Sequence, residues 1–203
     1  MKRQIGWVAL AAITVAFCAP ASAEEPAASE LEVNDDDARR RIETWPQNKR
    51  TAAEGLIDKY GAPDEITSDR LSWADRDNWS HVTLHREGKT ENFPTTHENF
   101  IEHTVRYDVP REKAGELIKF HPSLVVDQQE GTLSARSDSV EANILALNLA
   151  DEIVQGKRTV NSARNAMREE LRKEMAGKDS RYTEGLMFTV PEREPMTEEE
   201  EEE

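Results

Sequence analysis

Cysteine is almost missing from this chain: 203 residues contain one, Cys18. After it, no thiol is available for a disulfide, a cysteine-held metal or thiol catalysis. Glycine is also scarce, at nine residues, and no glycine-rich run could cradle a phosphate. Lys157-Arg158 after Gly156 is a basic helix end and carries no nucleotide signature. Basic clusters are lacking too. The chain has 26 Lys and Arg against 41 Asp and Glu, for a net charge of −15. Its densest basic run, Arg39-Arg40-Arg41, follows directly on Asp35-Asp36-Asp37 and is neutralised locally. Phosphate recognition needs clustered cations, so this balance excludes nucleic acid and anionic lipid surfaces as partners. Neither an HExxH pair nor a G-x-S-x-G elbow occurs.

What the chain does have begins at residue 1. Lys2 and Arg3 precede an apolar run from Ile5 to Phe17, and Ala21-Ser22-Ala23 then places small residues where a signal peptidase reads them. That order is a secretory signal peptide, residues 1–23, with cleavage expected between Ala23 and Glu24. The run is shorter than the roughly 20 residues of a membrane span. Cys18 could be a lipidation site, but Phe17 and Val15 stand where a small residue and a leucine are wanted, so it is expected to leave with the leader. The mature chain, cysteine-free and with a charge of −17, is expected in the periplasm or outside the cell.

Residues 24–33 read as a flexible lead-in, 34–190 as a single α+β domain, and 191–203, dominated by glutamate, as a disordered acidic tail. Asn34 or Asp35 can cap a helix through Thr44. A second helix is predicted over 46–60, stopped by Gly61 and Pro63. Strands are predicted over 66–73 and 79–86 as a hairpin with Trp73 and Trp79 as a cross-strand pair. A polar loop over 88–99 follows, then a strand over 100–109. A helix opens at Pro110 with Ala114, Leu117 and Ile118 as its apolar stripe. Strands at 124–128 and 132–135 precede two long helices. One is capped by Asp138 with Glu141 completing a capping box; the other, over 160–175, aligns Val160, Ala163, Met167, Leu171 and Met175. The expected fold is an antiparallel sheet of about five strands with helices mainly on one face.

Candidate chemistry is thin. His81 and His85 share a strand face about 13 Å apart, too far to chelate one ion. His97 and His103, with Glu98 and Glu102, could converge on a metal if their loop folds back, but no zinc-ligand spacing is present, and His121 stands apart from them. Ser134, Ser137 and Asp138 could hold a nucleophile only with a base and an oxyanion hole. Abundant carboxylates admit paired-acid hydrolysis, and Trp45, Trp73 and Trp79 could then line a glycan-binding face; core packing is the plainer expectation. No residue is assigned a catalytic, cofactor-binding or metal-binding role, and no cofactor is expected.

Two stretches resemble known sequences. Ala53 to Glu65 leading to Leu71-Ser72-Trp73, and Leu133 to Asp138 followed by Ile144 to Val154 and Gly156-Lys157-Arg158, resemble an uncharacterised family of exported bacterial proteins. Over the first half, Gly61, Pro63 and Trp73 after two helices are similar to BamE/SmpA-type modules of outer-membrane assembly. The first resemblance carries no activity, and the second is a shared local layout; an envelope protein as partner is expected from export and a coherent domain without a catalytic signature. The expected function is therefore a non-catalytic periplasmic binding or envelope-support protein, without a membrane-integral segment. The alternative is a periplasmic hydrolase acting on glycan or peptide through paired carboxylates in a cleft.

Overall fold

The computed structural model describes residues 34–192, so the expected leader (1–23), the lead-in (24–33) and all but the first two residues of the acidic tail (191–203) lie outside the described residues. The elements are α1 (Asp35–Ile42), α2 (Gln47–Tyr60), β1 (Glu65–Ile66), β2 (Arg70–Arg76), β3 (Trp79–Glu91), β4 (His97–Arg106), α3 (Arg111–Phe120), β5 (Leu124–Asp127), β6 (Thr132–Ser137), α4 (Val140–Val154), α5 (Val160–Met175) and α6 (Arg181–Glu184). All strand pairs are antiparallel, in the order β1-β2-β3-β4-β6-β5, and helices pack against the sheet: an α+β domain. Among the described residues, no helix is long and apolar enough to cross a membrane.

Local chemistry sets the helix ends. The Asn34 side chain accepts the Asp37 N–H at 3.0 Å and starts α1. Gly61 ends α2 at φ 78°, a backbone conformation that costs glycine little, and its carbonyl accepts the Trp73 indole N–H at 2.9 Å. The cap of α4 is Ser139, not the expected Asp138: its Oγ accepts the Ala142 N–H at 3.1 Å. That shift by one residue takes Glu141 out of capping-box register.

The sheet has six strands where about five were expected. Thr67 Oγ1 accepts the Arg70 N–H at 3.1 Å, and this turn divides the expected 66–73 strand into β1 and β2. β3 and β4 also run through most of the expected 88–99 loop, which shrinks to residues 92–96. This polar arm has no hydrophobic alternation to betray it. Backbone pairing from Lys89↔Asn99 to Glu91↔His97 holds it, together with the Glu98 carboxylate, which crosses Gly88 to reach the buried ammonium of Lys49 on α2. A side chain at residue 88 would collide with the Glu98 side chain.

One sheet face is the core. Leu71, Trp73, Val82, Leu84, Ile101, His103, Val105 and Leu133 are all buried on it. Ser72, Thr83, Glu102 and Arg136 form a partly exposed row across the other face, through the pairs Ser72↔Thr83↔Glu102↔Arg136. Trp73 and Trp79 are not opposed as expected. Trp73 faces Val82, Trp79 faces Arg76, and the Trp79 ring packs edge-on against His103 at 4.6 Å.

Over the core face lies α4, buried from Ala142 to Asp151. Asn143 Nδ2 donates to the Ile101 carbonyl and lies 3.0 Å from His103 Nδ1. Asn148 Nδ2 donates to the carbonyls of Tyr182 and Gly185 at 3.0 and 2.9 Å, and its Oδ1 accepts the Met187 N–H at 2.7 Å. One amide thus binds the C-terminal segment to the core. Two expected stripe positions are corrected. Ile118 of α3 is 59% exposed, with Phe120 buried instead, and Met175 at the end of α5 is 85% exposed. In α3 the buried face runs through Leu117 and Phe120 and bypasses Ile118; in α5 the core contact lasts fewer turns than the apolar period.

Asn148→Ala leaves two carbonyls and one N–H without their partner. It is expected to destabilise the protein by about 1–3 kcal/mol in urea unfolding.

Candidate binding cavity

The structure scatters most of the sequence candidates. His97 and His103 do not converge: His97 opposes Glu91, His103 opposes Val82, and the carboxylates of Glu98 and Glu102 turn to Lys49 and His85. Among the described residues, no group of three or more His, Cys, Asp or Glu side chains is arranged to hold a metal. Trp45, Trp73 and Trp79 are buried at 1%, 0% and 5% exposure, so they pack the core and line no glycan-binding face. Ser134 Oγ pairs with Thr104 Oγ1 at 2.8 Å. Ser137 Oγ donates to the Ser139 carbonyl at 2.7 Å and accepts the Ser139 N–H, a local turn bond that leaves no proton shared with a base.

What the fold does assemble is a cavity of about 740 Å³ where the first turn of α4, the C-terminal half of α5, the β3–β4 loop and the residue after α3 meet. Its apolar surface comes from Pro94, Ala142, Met167, Leu171 and Met175. Its polar groups come in two sets: His97, His121, Arg168 and Arg172, then Asp138 and Glu174. A second hollow of about 670 Å³ lies between α2 and α4 and shares Asp138 and Ser139 with the first. Volumes of this size suit small organic ligands.

Each polar group has a defined state. His121 is 3% exposed, and its Nδ1 accepts the Ser123 N–H at 3.2 Å, so the ring proton sits on Nε2, which has no acceptor among the described residues. Burial, with the positive charges of His97 and Arg164 nearby, lowers its pKa to about 4. The ring therefore stays neutral at pH 7. His97 has the opposite tautomer when neutral: its Nδ1 lies 2.8 Å from the Thr95 carbonyl, which fixes the proton there and leaves Nε2 as an acceptor. Arg168 is braced by the Arg164 carbonyl and Asn165 Oδ1, both at 3.3 Å, and lies over the Phe93 ring. Arg172 makes no side-chain bond among the described residues, and neither guanidinium has an ion-pair partner. Burial, then repulsion from Glu141 and Asp138, pushes the Glu174 carboxyl above the usual range, and its Oε2 is buried without a hydrogen bond.

Sequence reasoning missed this site because its parts are dispersed over 82 residues, from Pro94 to Met175. One signal was present: Arg164, Arg168 and Arg172 recur every four residues along an apolar stripe.

A second buried histidine, His103, has its pKa lowered to about 3, chiefly by burial. Both rings are neutral when folded and gain a proton near pH 6.5 when unfolded, so the unfolded state binds more protons below that pH. Stability is complete above pH 6.5 and falls toward pH 4, with a slope of up to ~1.4 kcal/mol per pH unit for each histidine. Ring resonances of both are expected to stay unshifted between pH 8 and 5. His121→Phe should flatten the stability slope in urea unfolding over that window.

No family model, curated protein or solved structure matches this chain, so its functional reading rests on the cavity's own chemistry.

Proposed function

We propose that this chain is an exported, non-catalytic binding protein of the cell envelope, with the cavity between α4 and α5 as its binding site. The address is supported by the sequence of residues 1–23: a basic start, an apolar run and small residues before Glu24. The occupation is supported by one observation above all. An apolar-floored cavity of about 740 Å³ carries polar groups that no other described residue satisfies: the Nε2–H of His121, the guanidinium of Arg172 and the buried Oε2 of Glu174. A buried oxygen such as Glu174 Oε2 is normally paired, and a bound molecule completes such a set. Ser137 and Ser139 in the same wall are committed to turn and cap bonds, which favours recognition over covalent chemistry.

Two measurements test this reading. The intact mass of protein from the periplasmic fraction of its native host is expected to begin at Glu24. Native mass spectrometry of the same protein is expected to show a small-molecule adduct, lost in Ala142→Trp, whose indole fills the cavity. Turnover in an unbiased panel of hydrolase substrates, abolished by Glu174→Gln, would overturn the non-catalytic reading.

A further inference from the structure

The walls of the cavity are sorted by charge. At about 100° per residue along α5, Arg168 and Arg172 fall on one flank, Glu174 falls on the other, and Leu171 lies between them. Asp138, at the start of α4, reinforces the acidic flank through its repulsion of the Glu174 carboxyl. His121, in the cavity wall, supplies an N–H with no acceptor among the described residues. Both flanks have unmet demand. Neither arginine has a counter-anion among the described residues. The Glu174 carboxyl, partly buried and near the like charges of Glu141 and Asp138, has its pKa raised and its Oε2 left without a hydrogen bond, so a cation beside it is favoured. From Arg168 to Glu174 the helix rises about 9 Å. An extended chain spans roughly 3.3–3.6 Å per residue, so two or three residues bridge that distance.

We propose that this cavity binds a short zwitterionic peptide of two or three residues, with its carboxylate at Arg168 and Arg172, its ammonium at Asp138 and Glu174, and apolar side chains against Leu171 and Met167. The inference rests on the reading of the cavity as a binding site and names its ligand class. A purely anionic ligand leaves Glu174 and Asp138 facing an apolar tail. A purely cationic one leaves two arginines and the His121 N–H unanswered. A free peptide carries both charges at the required spacing, with side chains for the floor.

Calorimetric titration with four probes separates the terms: leucyl-leucine, its N-acetyl form, its C-terminal amide, and the doubly blocked dipeptide. The free dipeptide is expected to bind at least tenfold more tightly than either singly blocked form, because each block removes one charge-assisted contact. Arg172→Gln changes an exposed side chain without structural bonds. It should erase the preference for a free carboxylate and leave the preference for a free amine. Glu174→Gln should do the reverse. If all four probes bind equally and Ala142→Trp abolishes binding, the zwitterion assignment falls while the cavity remains a binding site. If none binds at millimolar concentration, the peptide assignment also falls. Absence of the native adduct would then remove the broader reading as well.

Discussion

Burial of α4 is the constraint on which the rest of the domain depends. A helix buried on one face needs only a sheet beneath it; this one is buried from Ala142 to Asp151, so other elements must close over it. The sheet supplies β4 and β6 below, α5 and α3 pack alongside, and the segment around α6 covers the remainder. Each polar group on such a helix must find a partner inside the protein. Asn148 bonds three backbone groups of the C-terminal segment, Asp151 accepts the Tyr107 hydroxyl at 2.8 Å, and Asn143 reaches the Ile101 carbonyl and His103. These bonds give a largely apolar helix a single rotational setting, which dispersion and burial alone would leave loosely specified.

The cavity is a consequence of that arrangement. α5 packs on α4 and is buried at Ala163, Met167 and Glu170. Burial ends with that stretch, and the last residue of the helix, Met175, is exposed. The first turn of α4 lines the cavity beside this end of α5, with Pro94 and His97 from the β3–β4 connection. The site is built where the core runs out.

Helix limits and the buried strand faces were legible because their signals are local. Capping residues, Gly61 and the 3.6-residue period placed α2 and α5 within a residue of their observed ends. The strand predicted over 100–109 likewise overlaps β4, where Ile101, His103 and Val105 are buried. The rest depended on non-local partners. The β3–β4 arm is polar and held by Lys49, forty-nine residues before Glu98. Trp73 and Trp79 could not be assigned to the core or a surface cleft until the register was known. The cavity needed six residues of α5, only three of which belong to its apolar stripe, to meet groups from three other elements.

Strand order also governs when the fold can close. β1 to β4 form a meander of neighbours, but β6 must enter between β4 and β5, both made before it. Until Ser137 is available, β4 has one open edge and β5 has no partner in the sheet. The apolar face of the sheet also waits for α4, which comes later still. Assembly is therefore back-loaded: three-quarters of the described chain must exist before the central strand and its covering helix lock together. Contacts of such sequence separation form slowly. A nascent chain of this topology stays open to a chaperone until its last elements emerge.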